Sequence, residues 1–283
     1  MVNNELTIVI NTFNSEDVIF KCLNSIHLNQ KVYVIENSNN ESLKEKIETI
    51  YPNVSCHLTG SNLGYAKGNN YGLSKVKTKY ALVLNPDTTL EKNTIDNFIA
   101  SASKLKDFAI LAPALQNEFD NPDSLKDKPK IFKTDKVKGF AMFLNLSHFK
   151  DIGFFDENFF IYLEEIDLCK RVTEKKKNIY LDKSIVINHL GGKSHNNTIN
   201  YEMELSRNWH WMWSTFYFDR KYNGYLIALL KIQKKLFSSF FKTIFYFLIL
   251  NKKKKIYLQR LKGIISSILG KKSSYRPKIK KID

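Results

Sequence analysis

Leu6-Thr7-Ile8-Val9-Ile10-Asn11-Thr12-Phe13-Asn14-Ser15 decides the fold. Five apolar or β-branched residues in a row, with no polar alternation, describe a strand buried on both faces, as in a parallel sheet. The polar break at Asn11–Ser15 ends it. Beyond the break, Val18, Ile19, Cys22, Leu23 and Ile26 recur at helical spacing, so a helix is expected from Glu16 to His27.

Working outward, the same alternation continues. Val32–Ile35 reads as a second strand ending at Glu36-Asn37-Ser38, 42–50 as a helix, and Val54–Leu58 as a third strand. Tyr80–Leu84 reads as a central strand stopped by Asn85-Pro86-Asp87, where the proline ends strand pairing. A helix over 93–106, a strand over 108–112, a strand over 137–144 and a short helix over 146–152 follow. The final strands are expected at 179–181 and 184–187. Gln116–Lys136 reads as one long loop. This pattern predicts an α/β, doubly wound sheet, in which ligands gather at the carboxyl ends of the strands. Asn11, Asn14 and Glu36 lie at such ends.

Four stretches carry candidate chemistry. Asn62-Leu63-Gly64-Tyr65-Ala66-Lys67-Gly68-Asn69-Asn70-Tyr71-Gly72 is rich in Gly and Asn, which suits a loop with close backbone approach to a ligand, or a plain turn into a helix. Asp87, at a strand tip, could cap a helix or bind a divalent cation, which prefers oxygen ligands. His189-Leu190-Gly191-Gly192-Lys193-Ser194 sets a histidine at a strand end before a Gly-Gly loop, a context for a metal or phosphate contact. Phe159–Arg171 runs an aromatic approach into Glu164, Glu165 and Asp167. Carboxylates beside apolar residues are costly unless paired, protonated or bound to a cation, which is the usual setting of a general base. The same acids also suit the first turn of an amphipathic helix.

Composition bounds the class. The net charge of +16 is carried by the C-terminal part: residues 1–220 hold 27 Lys+Arg and 27 Asp+Glu, whereas 221–283 hold 17 basic residues and one acid. Three scattered cysteines (Cys22, Cys56, Cys169) make neither a zinc spacing nor a disulfide framework. No signal peptide is read at Met-Val-Asn-Asn-Glu, and a cytoplasmic setting is expected. In the tail, Leu229, Ile232, Leu236, Phe240, Ile244 and Leu248 recur at helical spacing, with lysines interrupting the run, and Leu258, Leu261, Ile265 and Ile268 form a second periodic segment. No stretch reaches the roughly 18 uncharged residues of a spanning helix. Basic amphipathic helices of this kind lie at an anionic membrane surface, so peripheral attachment at the inner face of the plasma membrane is expected. Packing on a partner subunit is the plainer reading. The neutral 1–220 region and the apolar faces of the tail argue against nucleic acid. The expected domains are 1–220 and a helical tail over 221–283.

Taken together and in order, these motifs resemble the family 2 glycosyltransferases, in their bacterial rhamnosyltransferase-like branch, over roughly residues 5–220. The resemblance implies a GT-A fold: a nucleotide-binding half merged with an acceptor-binding half. It implies an inverting, metal-dependent transfer from a nucleotide-diphosphate sugar to a glycan or polyprenyl-linked glycan acceptor in surface-polysaccharide synthesis. The leading donor is dTDP-L-rhamnose, with UDP-hexose or UDP-N-acetylhexosamine next. By the resemblance, Thr12, Asn14, Glu36, Asn62, Gly64, Lys67, Asn69, Asn85 and Asp87 contact the nucleotide sugar. Asp87 and His189 hold Mn²⁺ or Mg²⁺, and Glu165 is the base, with Glu164 its rival. Glu36 and Glu165 stand where the family usually has Asp. The alternative of another class is a non-catalytic nucleotide-sugar-binding or scaffold protein of the same fold.

Overall fold

The computed structural model describes residues 5–105, 107–114, 127–191 and 194–277. Its first strand is Leu6–Thr12 (β1), and its helix follows at once, Glu16–Asn24 (α1). Lys31–Glu36 (β2), Glu41–Ile50 (α2), Val54–Leu58 (β3), Gly64–Leu73 (α3) and Tyr80–Leu84 (β4) complete the parallel half. The remainder comprises Thr88–Leu90 (β5), Thr94–Lys104 (α4), Ile110–Pro113 (β6), Ile131–Thr134 (β7), Ala141–Asn145 (β8), Phe149–Ile152 (α5), Glu164–Glu174 (α6), Ile179–Asp182 (β9) and Ile187–His189 (β10). Three long helices close the chain: Asn200–Asn223 (α7), Tyr225–Leu248 (α8) and Lys253–Ile268 (α9).

One eight-stranded sheet runs in the order β3-β2-β1-β4-β8-β6-β9-β7, and β10 pairs with β5 in a second, two-stranded sheet. β1 lies parallel to both β2 and β4, whereas β8 enters antiparallel between β4 and β6. The carboxyl ends of β1, β2 and β4 therefore share one edge, with Thr12 in register with Glu36. Leu6, Ile8, Val9 and Ile10 are buried, as a strand covered on both faces requires. Phe98 and Phe143 stack at 5.0 Å within the same core.

Three expectations are corrected here. The long loop 116–136 contains β7, whose Ile131–Thr134 pairs antiparallel with β9 at the sheet edge. Its short length and half-exposed residues left little periodic signal. Residues 115–126 of that stretch lie outside the described residues. In the Gly/Asn-rich stretch the loop reading gives way to the other, a turn into a helix that begins at Gly64. Its glycines serve close packing instead: a Cβ on Gly68 would press on the Asn11 side chain at 2.6 Å, and one on Gly72 would overlap Val9 and sit 2.9 Å from Ile35. The last strand is displaced: it covers Ile187–His189, so His189 belongs to a strand.

By its internal contacts the chain forms two compact units. The α/β unit comprises Met1–Leu63, Lys67–Phe155 and Glu165–Asn196, and the other comprises Gly64–Ala66, Asp156–Glu164 and Asn197–Asp283. In the second unit, α9 packs on α7 where Gly263 removes any Cβ from the path of the Trp209 carbonyl. Ser267 donates to the Trp213 carbonyl at 3.0 Å, and Trp213 Nε1 donates to that of Lys271 at 2.9 Å. The position 220, where the charge balance changes, falls inside α7.

Candidate active site

Within the α/β unit, the candidate residues converge on the carboxyl edge of the sheet. The chain leaves β1 through Asn14, which takes a left-handed φ of 49°, a conformation Asn tolerates better than most residues. This turn is stitched to two neighbours. Asn14 N donates to Ser38 Oγ at 3.3 Å, and Asn196 N donates to the Asn14 carbonyl at 2.7 Å. Ser15, fully buried, donates to the Ser194 carbonyl at 2.6 Å. The segment after His189 is thereby tied to the turn after β1. Asn14 Nδ2 is buried without a hydrogen-bond partner, an unmet donor that a ligand oxygen would satisfy.

Glu36 ends β2 and is fully buried. Its oxygens accept from Ser38 N at 3.0 Å, from Ser38 Oγ and from Asn40 N at 2.8 Å. The carboxylate thus braces its own loop, and only its remaining lone pairs are left for a ligand. Thr12 Oγ1 donates to the Ile35 carbonyl at 3.3 Å. Asn37, which the sequence reading left without a role, accepts from Thr59 Oγ1 at 3.0 Å. In α3, Lys67 is exposed and Asn69 is buried, while Asn70 brackets the backbone of Phe155 with bonds of 2.8 and 3.0 Å.

The tip of β4 holds the strongest polar feature. Asp87 is 2% exposed, and neither carboxylate oxygen has a hydrogen-bond partner. His189 Nε2 stands 3.5 Å from Asp87 Oδ1. The ladder between β5 and β10 sets this approach: His189 lies opposite Thr88, and Leu190 N donates to the Asp87 carbonyl at 3.1 Å. The Phe140 ring stacks on His189 at 4.6 Å. Burial pushes the Asp87 carboxyl up, but His189 and Ser194 outweigh it, so its pKa lies below the ordinary 3.8. Asn85, at the same tip, is half-buried, and its backbone N donates to the Phe140 carbonyl at 2.8 Å.

A divalent cation fits this pair. A buried carboxylate with unmet oxygens and an imidazole suit Mg²⁺ or Mn²⁺, which take hard oxygen ligands and share their shell with phosphates and water. Among the described residues no cluster of three or more His, Cys, Asp or Glu gathers. Asp87 and His189 would thus supply two ligands, leaving the rest to donor phosphates and solvent.

The acids of α6 separate by environment. Asp167 is fully buried and bonded to Arg171 Nε at 2.8 Å, and Arg171 also donates to the Ile152 carbonyl at 2.7 Å. That pair is structural. Glu165 is half-buried in the first turn, and Glu164, in the other unit, is 4% exposed. Gly64 also belongs to that unit, with φ +78° and no room for a Cβ against the Phe160 carbonyl. Asn62 is half-buried just before it.

The chain is thus an open α/β sheet with a buried acid at the tip of its central strand and further acids at the start of a later helix. The model of glycosyl transferase family 2 matches residues 7–168, and the chain belongs to that family. It is 26% identical over 198 residues to a low-salt glycan biosynthesis hexosyltransferase of Haloferax volcanii, covering 62% of this chain and 64% of that one. It is 21% identical over 206 residues to an N-acetylglucosaminyl-diphospho-decaprenol L-rhamnosyltransferase of Mycobacterium tuberculosis, covering 56% of this chain and 66% of that one. The chain thus spans a little under two thirds of each relative. Among solved structures, a mannosyltransferase of Pyrobaculum calidifontis in complex with GDP-Man and Mn²⁺ superposes with a TM-score of 0.60 at 12% identity, covering 95% and 88% of the two chains. The expected GT-A fold is confirmed by this likeness.

Proposed function

We propose that this protein is an inverting, divalent-cation-dependent glycosyltransferase that moves a sugar from a nucleotide-diphosphate donor onto a growing, lipid-linked surface glycan. The observation that carries it is the buried Asp87 carboxylate, facing His189 at 3.5 Å at the tip of β4, in a family 2 chain. A buried carboxylate whose oxygens keep unmet lone pairs would be further stabilised by a bound divalent cation. Asp87 and His189 hold the cation, which when bound neutralises charge on the departing diphosphate. Asn14 Nδ2 and the loop bracing Glu36 face the nucleotide side. Glu165 takes the proton from the acceptor hydroxyl as that oxygen attacks the anomeric carbon; it is half-buried at the start of α6. Glu164 is the rival base. dTDP-L-rhamnose is the first donor to test, because a rhamnosyltransferase stands among the relatives. A polyprenyl-linked acceptor has the same support.

The C-terminal helices suit that acceptor. On α8, Leu226, Leu230, Phe237, Phe241, Phe245 and Leu248 are each more than half exposed, interspersed with Lys231, Lys234 and Lys242, and no helix among the described residues is long and apolar enough to cross a membrane. An exposed apolar run of this size marks an interaction surface. Lysines beside it favour an anionic bilayer, so we assign α8 to the inner face of the plasma membrane.

A thermal-shift screen of nucleotide sugars with and without Mn²⁺ tests the reading, since ligands that bind only the folded state raise its melting temperature. A cation-dependent shift with dTDP-rhamnose supports donor and site together. A shift with UDP-sugars alone keeps the class and discards rhamnose. No shift with any nucleotide would remove the catalytic reading in favour of a scaffold of the same fold.

A further inference from the structure

Tyr162 and Leu163 immediately precede α6 and both carry left-handed backbone angles, φ 74° and 68°. Neither is glycine, and two such residues in succession are strained by the contact of Cβ with the backbone. Strain of this kind persists only where neighbouring groups over-determine the conformation. The second unit shows what those groups are.

Phe160 lies between two side chains. The His210 ring stacks on it at 4.5 Å and 24°, and the Arg276 guanidinium sits 3.8 Å from its centroid. Tyr65 N donates to the Phe160 carbonyl at 2.7 Å, and Ser214 Oγ donates to that of Ile161 at 3.0 Å. Tyr162 meets Trp211 edge-on at 5.5 Å. His210 is in turn fixed from the C-terminal segment: Nδ1 pairs with Ser273 Oγ at 2.8 Å and Nε2 with the Tyr275 carbonyl at 2.9 Å. A carbonyl only accepts, so Nε2 carries the proton and Nδ1 accepts from Ser273. Arg276 donates to the carbonyls of Ser273 and Tyr275 at 3.1 and 2.8 Å, holding the same segment in a tight turn.

We propose that the segment Ser273–Arg276 is a strap that acts through Phe160 and His210 to hold the strained Tyr162–Leu163 turn, and so sets the backbone leading into Glu164, the first residue of α6. Arg276, Ser273 and His210 are positioning residues for the acid at the start of that helix. The proposal rests on the assignment of the base to α6.

The test uses the full chain with Arg276→Ala, Arg276→Lys and Ser273→Ala, and reads two quantities. The first is amide hydrogen exchange over 159–166. The second is kcat for sugar transfer beside the donor Kd. Arg276→Ala is expected to speed exchange in that segment about 2- to 5-fold, the range a solvent-exposed cation–π contact commands. It should lower kcat by a similar factor with donor Kd unchanged, and Arg276→Lys should recover part of both. Unchanged exchange over 159–166 overturns the strap whatever the activity does. Faster exchange with unchanged kcat overturns the positioning role. A loss in donor Kd equal to the loss in kcat marks a general structural effect and also overturns it. Glu164→Gln and Glu165→Gln serve as the separate control: if both keep full kcat, the base assignment fails, while the exchange result still decides whether the strap holds the turn.

Discussion

At the scale of single residues, the site turns on how each ionisable group is treated by its surroundings. Asp167 and Asp156 are neutralised by direct partners, Arg171 and Lys221, each at 2.8 Å. Asp87 is left with unmet oxygens, and Glu165 stays half-buried. Replacing Glu165 by Gln preserves shape and removes the base. The expected outcome is a fall in turnover of roughly 10²-fold or more with donor affinity intact, measured by steady-state kinetics beside calorimetry. An equal loss in Glu164→Gln with little loss in Glu165→Gln would transfer the role to Glu164. His210 supplies a prediction on stability. Burial, aided by Arg276, pushes its pKa down from 6.5 to about 3 against the bond to the Tyr275 carbonyl. The unfolded chain takes up a proton below 6.5 that the folded chain refuses. The contribution of His210 is therefore complete above pH 6.5 and drains away as the pH falls toward 3, by about 1.4 kcal/mol per unit. Denaturant titrations from pH 7 to 4 should show this slope, and His210→Gln should flatten it; parallel slopes in both proteins would count against the buried neutral imidazole.

Among the elements, α3 shows what periodicity alone misreads. Its Gly64, Gly68 and Gly72 recur every four residues, which places them on one helical face, yet a glycine-rich run also reads as a loop. The deciding fact is the sheet beneath, with Asn11, Val9 and Ile35 packed too near for any Cβ. Gly72→Ala is expected to cost about 1–3 kcal/mol by overpacking, whereas Gly60→Ala, where a Cβ meets nothing, is charged only with its left-handed φ of 72°. Equal melting temperatures for Gly72→Ala and the parent would contradict the packing. The same contrast explains how much was legible in the sequence. β1, β2 and β4, with α1 and α2, were readable because buried parallel strands form unbroken apolar runs and the helices beside them keep an apolar face. β5 and β7 were not, since three or four residues with a polar face carry too little pattern. Asp87 and His189 were singled out from their strand ends, but the orphaned Asn14 amide and the loop-bracing role of Glu36 depend on contacts that only the folded chain brings together.

Across the whole molecule, charge and apolar surface divide the labour. The excess of +16 lies beyond residue 220, where the helices also leave large apolar side chains in contact with solvent. Sedimentation with vesicles should show binding to anionic bilayers that weakens as salt rises, because exposed charges are screened within about 10 Å at 0.1 M. Phe240→Ser with Phe241→Ser should weaken binding even at low salt by removing apolar insertion. Binding to neutral vesicles of equal strength, indifferent to salt, would overturn the electrostatic part of the assignment.

The ladder between β5 and β10 has a consequence for the history of each molecule. It joins segments separated by α4, β6, β7, β8, α5, α6 and β9. Closing so long a loop costs entropy before it returns any contact, and pairings distant in sequence delay folding. The contact of Asp87 with His189 waits on that closure. A refolding chain should thus regain amide protection in β1 and β2 before it regains affinity for nucleotide, and a chain still emerging from the ribosome lacks the proposed donor site until His189 has been made.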